Sequence, residues 1–198
     1  VYFYYNLSLY SERWFSNPNN TRVWVDMVNP EIIRGSIMDC NQNVLVDTKT
    51  STKDGTTTYY RDYHKNSKYA AHVVGSKQFG IGGEALYIRY LLGYDNNLFE
   101  RIYQKAFLDQ EVGNNVILTI DMDLQKYISE SMGKSKGSVV LMNPQTGEIL
   151  AMVSQPSFNP SAVNEEPEDE SLVNRASYGM YPPGSIMKIV TAAAALEA

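Results

Sequence analysis

Residues 136–156, KGSVVLMNPQTGEILAMVSQP, restrict the fold more than any other stretch of the chain. Val139 to Met142 is one apolar run and Ile149 to Val153 is a second. Between them, Asn143, Pro144, Gln145, Thr146 and Gly147 are turn-forming residues. Two short apolar runs joined by such a turn read as a β-hairpin. Just before it, VILTI at 116–120 reads as a strand. Asp121 or Asp123 can cap a helix beginning near Leu124. Leu124, Tyr127 and Ile128 share one face of that helix, Met132 follows, and Gly133 ends it.

The first half alternates strands and turns. EIIRGSIMDCNQNVLV at 31–46 reads as strand, turn, strand, with Asp39, Asn41, Gln42 and Asn43 in the turn. DTKTSTKDGTTTYY reads as an exposed hairpin with Asp54-Gly55 at its tip. Residues 69–83 are punctuated by glycines. In EALYIRYLLG, Ala85, Ile88, Leu91 and Leu92 fall near helical spacing, with Gly93 as a stop. Residues 95–112 read as linker or irregular structure, and NPSAVNEEPEDES reads as a loop. The class is therefore α+β, and 198 residues allow one large or two small domains.

Composition removes several functions. A net charge of −5 gives no broad basic surface, so nucleic acid is not an expected partner. A single cysteine, Cys40, excludes an internal disulfide and a cysteine metal cluster. His64 and His72 are the only histidines, which leaves little support for zinc catalysis, and no metal ligand or cofactor is assigned. They read as a surface and a packed histidine respectively. No apolar run is long enough to span a bilayer, and the start has no signal-peptide pattern. VYFYYNLSLY at 1–10 fits either the trimmed end of a membrane anchor or a buried strand. The sequons at Asn6 and Asn19 carry little weight without a secretory eukaryotic context.

The closing run YPPGSIMKIVTAAAALEA poses a chemical question. Pro182-Pro183-Gly184 fixes and then frees the backbone before Ser185, and Ile186 to Leu196 reads as an apolar helix. Ser185 is a good N-cap residue. Lys188 lies one turn on, on the same face. A serine hydroxyl needs a base to become a nucleophile, and burial among Ile186, Met187, Ile189 and Val190 would favour a neutral lysine. First-turn amides could face a developing oxyanion. The same spacing also suits an ordinary serine cap followed by a lysine that snorkels to water.

Taken together, these segments resemble the class B penicillin-binding proteins. Tyr181 to Lys188 resembles the family's serine box, with Ile186-Met187 where Thr-Phe is usual. LVNRA at 172–176, the hairpin with its following SFNP, and LTIDMDLQKY match segments of the transpeptidase domain. Arg34 to Asn41 resembles the arginine-glycine box of a non-catalytic pedestal, with Gln42 where glycine is commoner. AHVVG at 71–75 and Gly82-Gly83-Glu84 resemble further pedestal segments. Five segments stand in the family's order.

The resemblance implies an elongated, mostly β pedestal over 1–112. It implies the start of a penicillin-binding, serine β-lactamase-like transpeptidase domain over 113–198. It makes Ser185 the nucleophile and Lys188 the acylation base of a peptidoglycan D,D-transpeptidase. The expected partners are peptidoglycan stem peptides, β-lactam antibiotics, a membrane-embedded glycan polymerase, and division or elongation proteins. The expected location is the bacterial cell membrane, by a single-pass anchor, with the domains on the extracytoplasmic side. Alternatives are a β-lactam-resistant transpeptidase, a β-lactam-sensing relative and a non-catalytic scaffold module of cell-wall synthesis. The family's Ser-x-Asn and Lys-Thr-Gly boxes do not occur after Lys188 in these 198 residues. Ser157-Phe158-Asn159 precedes the serine box and reads as structural, and Gln145-Thr146-Gly147 reads as a turn. The 198-residue chain alone is therefore expected to be inactive.

Overall fold

The computed structural model describes residues 32–53, 55–78, 80–94, 96, 107, 112–162 and 170–197. The opening tyrosine-rich stretch, both sequons, Asp54, most of 95–111 and the acidic residues 163–169 lie outside them. Among the described residues, no helix is long and apolar enough to cross a membrane.

The expected strand–turn–strand begins with β1, Ile37–Met38, and β2, Val44–Lys53, which pair antiparallel. Asp39 makes the turn between them. Its Oδ1 accepts from the amides of Asn41 and Asn43, and its Oδ2 accepts from Asn43 Nδ2. The carboxylate is wholly buried, so these bonds replace its water. β3, Thr56–Tyr63, returns along β2 and forms the expected hairpin. A second short strand, β4, Val116–Ile117, runs parallel to β1, giving the order β3-β2-β1-β4. VILTI is thus strand over only two residues. Beyond them the chain turns away, and Cys40 N donates to Ile120 O at 3.0 Å.

Gly35 explains the arginine-glycine box. A Cβ there would sit 1.8 Å from the carbonyl oxygen of Asn114, so the two segments approach this closely only without a side chain. Ser36 N then donates to Asn115 Oδ1 at 2.8 Å.

After β3, a 3-10 turn over Lys65–Ala70 leads into α1, Ala71–Val74. The helix expected over EALYIRYLLG is split. α2 covers Gly82–Leu86 and α3 covers Ile88–Leu91, with Tyr87 between them at φ −100° and ψ 16°. Gly93 follows as the expected stop, at φ +72°.

Asp121 caps α4, Met122–Met132, accepting from the amides of Asp123 and Leu124. The face expected to pack is not the one that packs. Tyr127 is 71% exposed and Leu124 36%, whereas Met122 and Gln125 are buried. Gln125 decides this orientation, because its amide group stitches the helix to its neighbours. Nε2 donates to Tyr69 O and Met152 O, and Oε1 accepts from Met152 N.

The hairpin of 136–156 forms as expected. β5, Gly137–Met142, pairs antiparallel with β6, Ile149–Gln155, as a separate two-stranded sheet. β6 packs on α4, burying Ala151 and Val153, while Val139 to Met142 of β5 stay exposed. The main core gathers Ile37, Leu45, Val46, Val74 and Leu91 with Val116, Ile120 and Met122. A core of this kind, drawn from both halves of the chain, fixes β6 against the first sheet's helices.

Candidate functional site

Ser185 lies in a 3-10 turn over Gly184–Ile186 that runs into α6, Met187–Glu197. Gly184 has φ +55°, and nothing lies within 4 Å of where its Cβ would be. Glycine is required here by backbone angle and not by crowding. The expectation that Ser185 caps the helix is corrected. The turn starts one residue earlier, with Ile186 N donating to Pro183 O at 3.3 Å, and it has no side-chain cap. The serine hydroxyl is therefore not engaged with a first-turn amide.

Lys188 follows in the first turn of α6, on the side of Ser185. Among the described residues, no hydrogen bond or ion pair engages either side chain. The expected burial of Lys188 is also corrected. Every residue from Gly179 to Glu197 is exposed, with Ile186 at 74% and Leu196 at 89%. No described element covers the apolar surface of α6, and among the described residues nothing removes Lys188 from water. The structure thus places serine and lysine on one turn but does not close them into a hydrogen-bonded pair.

The segment leading to this turn is firmly held. α5, Arg175–Tyr178, is capped by Asn174, whose Oδ1 accepts from Ala176 N at 3.0 Å. Ser154 on β6 donates from Oγ to Val173 O at 3.1 Å and accepts from Arg175 N at 3.0 Å. Arg175 also binds Glu170, and Lys136 reaches the same carboxylate at 2.8 Å. The Lys136 hydrogen bond and charge, with Arg175, hold the Glu170 carboxyl below its ordinary range. His72, on α1, contacts Ser171 O at 2.7 Å and packs edge-on against Phe158. It is the packed histidine, and Phe158 of the SFN run is structural, both as expected. His64 is the more exposed of the two, at 38%.

Ser154 and Gln125 were not among the candidates. A serine inside the apolar run of β6 was the available signal for the first. Nothing local marked Gln125. A cavity of about 480 Å³ lies beside the LVNRA segment, bordered by His72, Gly82, Leu86, Met152, Asn174 and Tyr178. Neither Ser185 nor Lys188 lines it. Among the described residues, the donors close enough to share a metal are Asp47, Asp62 and His64, on the β2–β3 hairpin and not at Ser185.

Ser185 and Lys188 offer a hydroxyl and an amine one turn apart at the entrance to α6, the two groups that acyl transfer to a serine uses. Comparison with known proteins agrees. Residues 137–198 match the penicillin binding protein transpeptidase domain. The chain is 34% identical over 207 aligned positions to the peptidoglycan D,D-transpeptidase PbpA of Mycolicibacterium smegmatis, covering 92% of this chain and 41% of that protein. It is 36% identical over 154 positions to MrdA of Escherichia coli, covering 68% of this chain and 24% of that protein. Penicillin-binding protein A of M. tuberculosis, solved as an imipenem acyl-enzyme complex, superposes with a TM-score of 0.70 at 30% identity, over 84% of this chain and 43% of that one. The chain therefore spans about two-fifths or less of the length of these relatives. With the matched transpeptidase segment, relatives of this identity and a shared fold, the chain belongs to the class B penicillin-binding protein family.

Proposed function

We propose that the chain is part of a D,D-transpeptidase that crosslinks peptidoglycan stem peptides, with Ser185 as nucleophile and Lys188 as acylation base. The observation that carries this is Ser185 and Lys188 on one turn at the entrance to α6, inside the matched residues 137–198. In this reading, Ser185 Oγ attacks the carbonyl carbon between the two D-alanines of a stem peptide. Lys188 Nζ takes the hydroxyl proton. The tetrahedral intermediate collapses to an acyl-serine ester, and the terminal D-alanine leaves as its amine, carrying the proton returned by Lys188. An amine of a second stem peptide then attacks the ester, forms the new amide and restores Ser185.

The Ser185 N–H supplies one half of the oxyanion hole. In this reading a further segment covers the apolar surface of α6 when substrate is bound. The exposure of Ile186, Ile189 and Val190 favours such a cover. The acyl-enzyme named for the M. tuberculosis relative supports a β-lactam acylating Ser185 in the same way. Residues 1 to about 112 serve as the pedestal. It carries the transpeptidase domain on the extracytoplasmic side of the membrane, beside a glycan polymerase and division or elongation proteins. In this reading the 198 residues alone do not turn over, since neither a Ser-x-Asn nor a Lys-Thr-Gly box follows Lys188 among them.

Intact-mass spectrometry after incubation with a β-lactam tests this reading. A longer chain carrying both later boxes is expected to take up one adduct, lost in Ser185→Ala and severely slowed in Lys188→Ala. The 198-residue chain is expected to stay unlabelled. An adduct mapped to another residue would overturn the mechanism, and stoichiometric Ser185 labelling of the 198-residue chain would overturn its inactivity.

A further inference from the structure

The β2–β3 ribbon brings three metal-binding side chains to one face, far in sequence from the serine box. Asp47 and Asp62 are directly opposed in the antiparallel register. His64 stands two residues beyond Asp62, so it returns to the same side of the ribbon. Its amide donates to Leu45 O at 2.9 Å, which carries the ladder past the end of β3. One donor atom from each of Asp47, Asp62 and His64 lies within 4.8 Å of the other two. His64 Nε2 is 3.3 Å from Asp47 Oδ1. Both of these atoms are sealed from solvent, and neither has a hydrogen-bond partner.

A salt-bridge ladder explains only part of this. Directly opposed carboxylates repel each other. The Lys49 ammonium contacts Asp62 Oδ2 and answers one of the two charges. Asp47 Oδ1 and His64 Nε2 face each other at ion-pair distance but without a hydrogen bond, on side chains that are 29% and 38% exposed.

We propose that Asp47, Asp62 and His64 bind a divalent transition-metal cation, Zn²⁺ being the best match, as a clasp at the root of the β2–β3 hairpin. One imidazole and two carboxylates are a donor set that Zn²⁺ accepts, with a fourth position for water. Bonds of about 2.0–2.2 Å set tetrahedral donors roughly 3.4 Å apart. The His64–Asp47 pair already stands at that spacing. Asp62 already offers one oxygen within 4.8 Å of the other two donors, and the Lys49 ammonium on its Oδ2 competes with the ion for its charge. The ion satisfies the two sealed atoms and neutralises the opposed carboxylates together. This role is structural, so it departs from the expectation of no metal ligand without reviving zinc catalysis.

Calorimetric titration of Zn²⁺ into the chelator-stripped 198-residue chain tests the site, with the two imidazoles followed by NMR. One saturable equivalent is expected, moving the His64 ring signals and leaving those of His72. His64→Gln and Asp47→Asn should each weaken binding by at least about tenfold. Lys49→Gln should tighten it several-fold by freeing Asp62, whereas a mere salt-bridge ladder would simply lose a pair. Cys40→Ser, which removes the exposed thiol, should change nothing. Circular dichroism confirms that each variant is folded. If His64→Gln misfolds, Asp47→Asn and Lys49→Gln still decide. No saturable binding by wild type or Lys49→Gln at millimolar Zn²⁺ overturns the proposal, as does affinity unchanged in His64→Gln.

Discussion

His72 Nε2 lies 2.7 Å from the carbonyl oxygen of Ser171, 99 residues further along the chain. A carbonyl oxygen only accepts, so Nε2 must carry the proton. The bond ties α1 to the segment that leads, through Asn174 and Arg175, to the serine turn. Burial pushes the imidazole pKa down, and it outweighs the carbonyl, which would favour the charged ring; Arg175 adds a smaller downward push.

This contact makes stability depend on acidity in a definite direction. With the folded value lowered, the unfolded chain binds the proton more readily. The contribution is fully present above the ordinary histidine value of about 6.5. It is lost as pH falls through the lowered folded value. Urea unfolding between pH 7.5 and 5 should show wild type losing more stability than His72→Gln. Parallel pH profiles for the two would refute the assignment.

Glu84 is 1% exposed and sits between two guanidinium groups. It accepts from Arg61 Nη2 at 2.6 Å and from Arg61 Nε at 2.9 Å. Arg34 is 3.6 Å away, close enough for an ion pair but not for a hydrogen bond. Removing this carboxylate leaves two buried cations facing each other. Glu84→Gln should cost about 3–5 kcal/mol, read as a lowered urea midpoint. A loss within that of an ordinary surface change would show that the cluster contributes little.

How far the sequence revealed this structure depends on how far each residue's partners lie along the chain. The β5–β6 hairpin was legible because its apolar runs and its Asn143 turn are neighbours. The α4 start was legible because Asp121 bonds amides two and three residues on. Gln125, Ser154 and the ion pairing of Glu84 were not, since each is fixed by partners 19 or more residues away. The face of α4 was misread for the same reason. Spacing alone favoured Leu124 and Tyr127, while Gln125 turns the helix the other way. At the candidate site, the Ser185–Lys188 spacing was plain. The 3-10 start was hidden because Gly184, at φ +55°, begins the turn before the serine. The exposure of Lys188 was hidden because it depends on what packs against α6.

Gln42 occupies the left-handed region, at φ +63°, the one described non-glycine residue to do so. Its amide donates to Asp39 O at 3.0 Å, closing the turn before β2. A side chain costs about 1–2 kcal/mol in this conformation. Glycine avoids that but adds freedom to the unfolded chain. Gln42→Gly should therefore stabilise by up to about 1 kcal/mol, and Gln42→Val should destabilise. Thermal unfolding of the two variants in opposite directions checks both. A destabilised Gln42→Gly would mean that the Gln42 side chain makes a contribution the backbone argument omits.

Gln125 is completely buried, and its amide group serves three backbone atoms on two other segments. Met152 lies on β6, the strand whose Ser154 holds the approach to Ser185, and Tyr69 lies in the turn before α1. Gln125→Leu keeps the volume but strands Tyr69 O, Met152 O and Met152 N without partners. Each stranded group costs about 1–3 kcal/mol, so a loss of about 3 kcal/mol or more is expected. Gln125→Glu tests the chemistry separately. A carboxylate can still accept from Met152 N but cannot donate to the two carbonyls. It should therefore be at least as damaging near neutral pH, and should recover in part on acidification, when the protonated acid regains one donor. The check is urea unfolding of both variants at pH 7 and pH 5. If Gln125→Leu were as stable as wild type, β6 would not depend on this side chain for its attachment to α4.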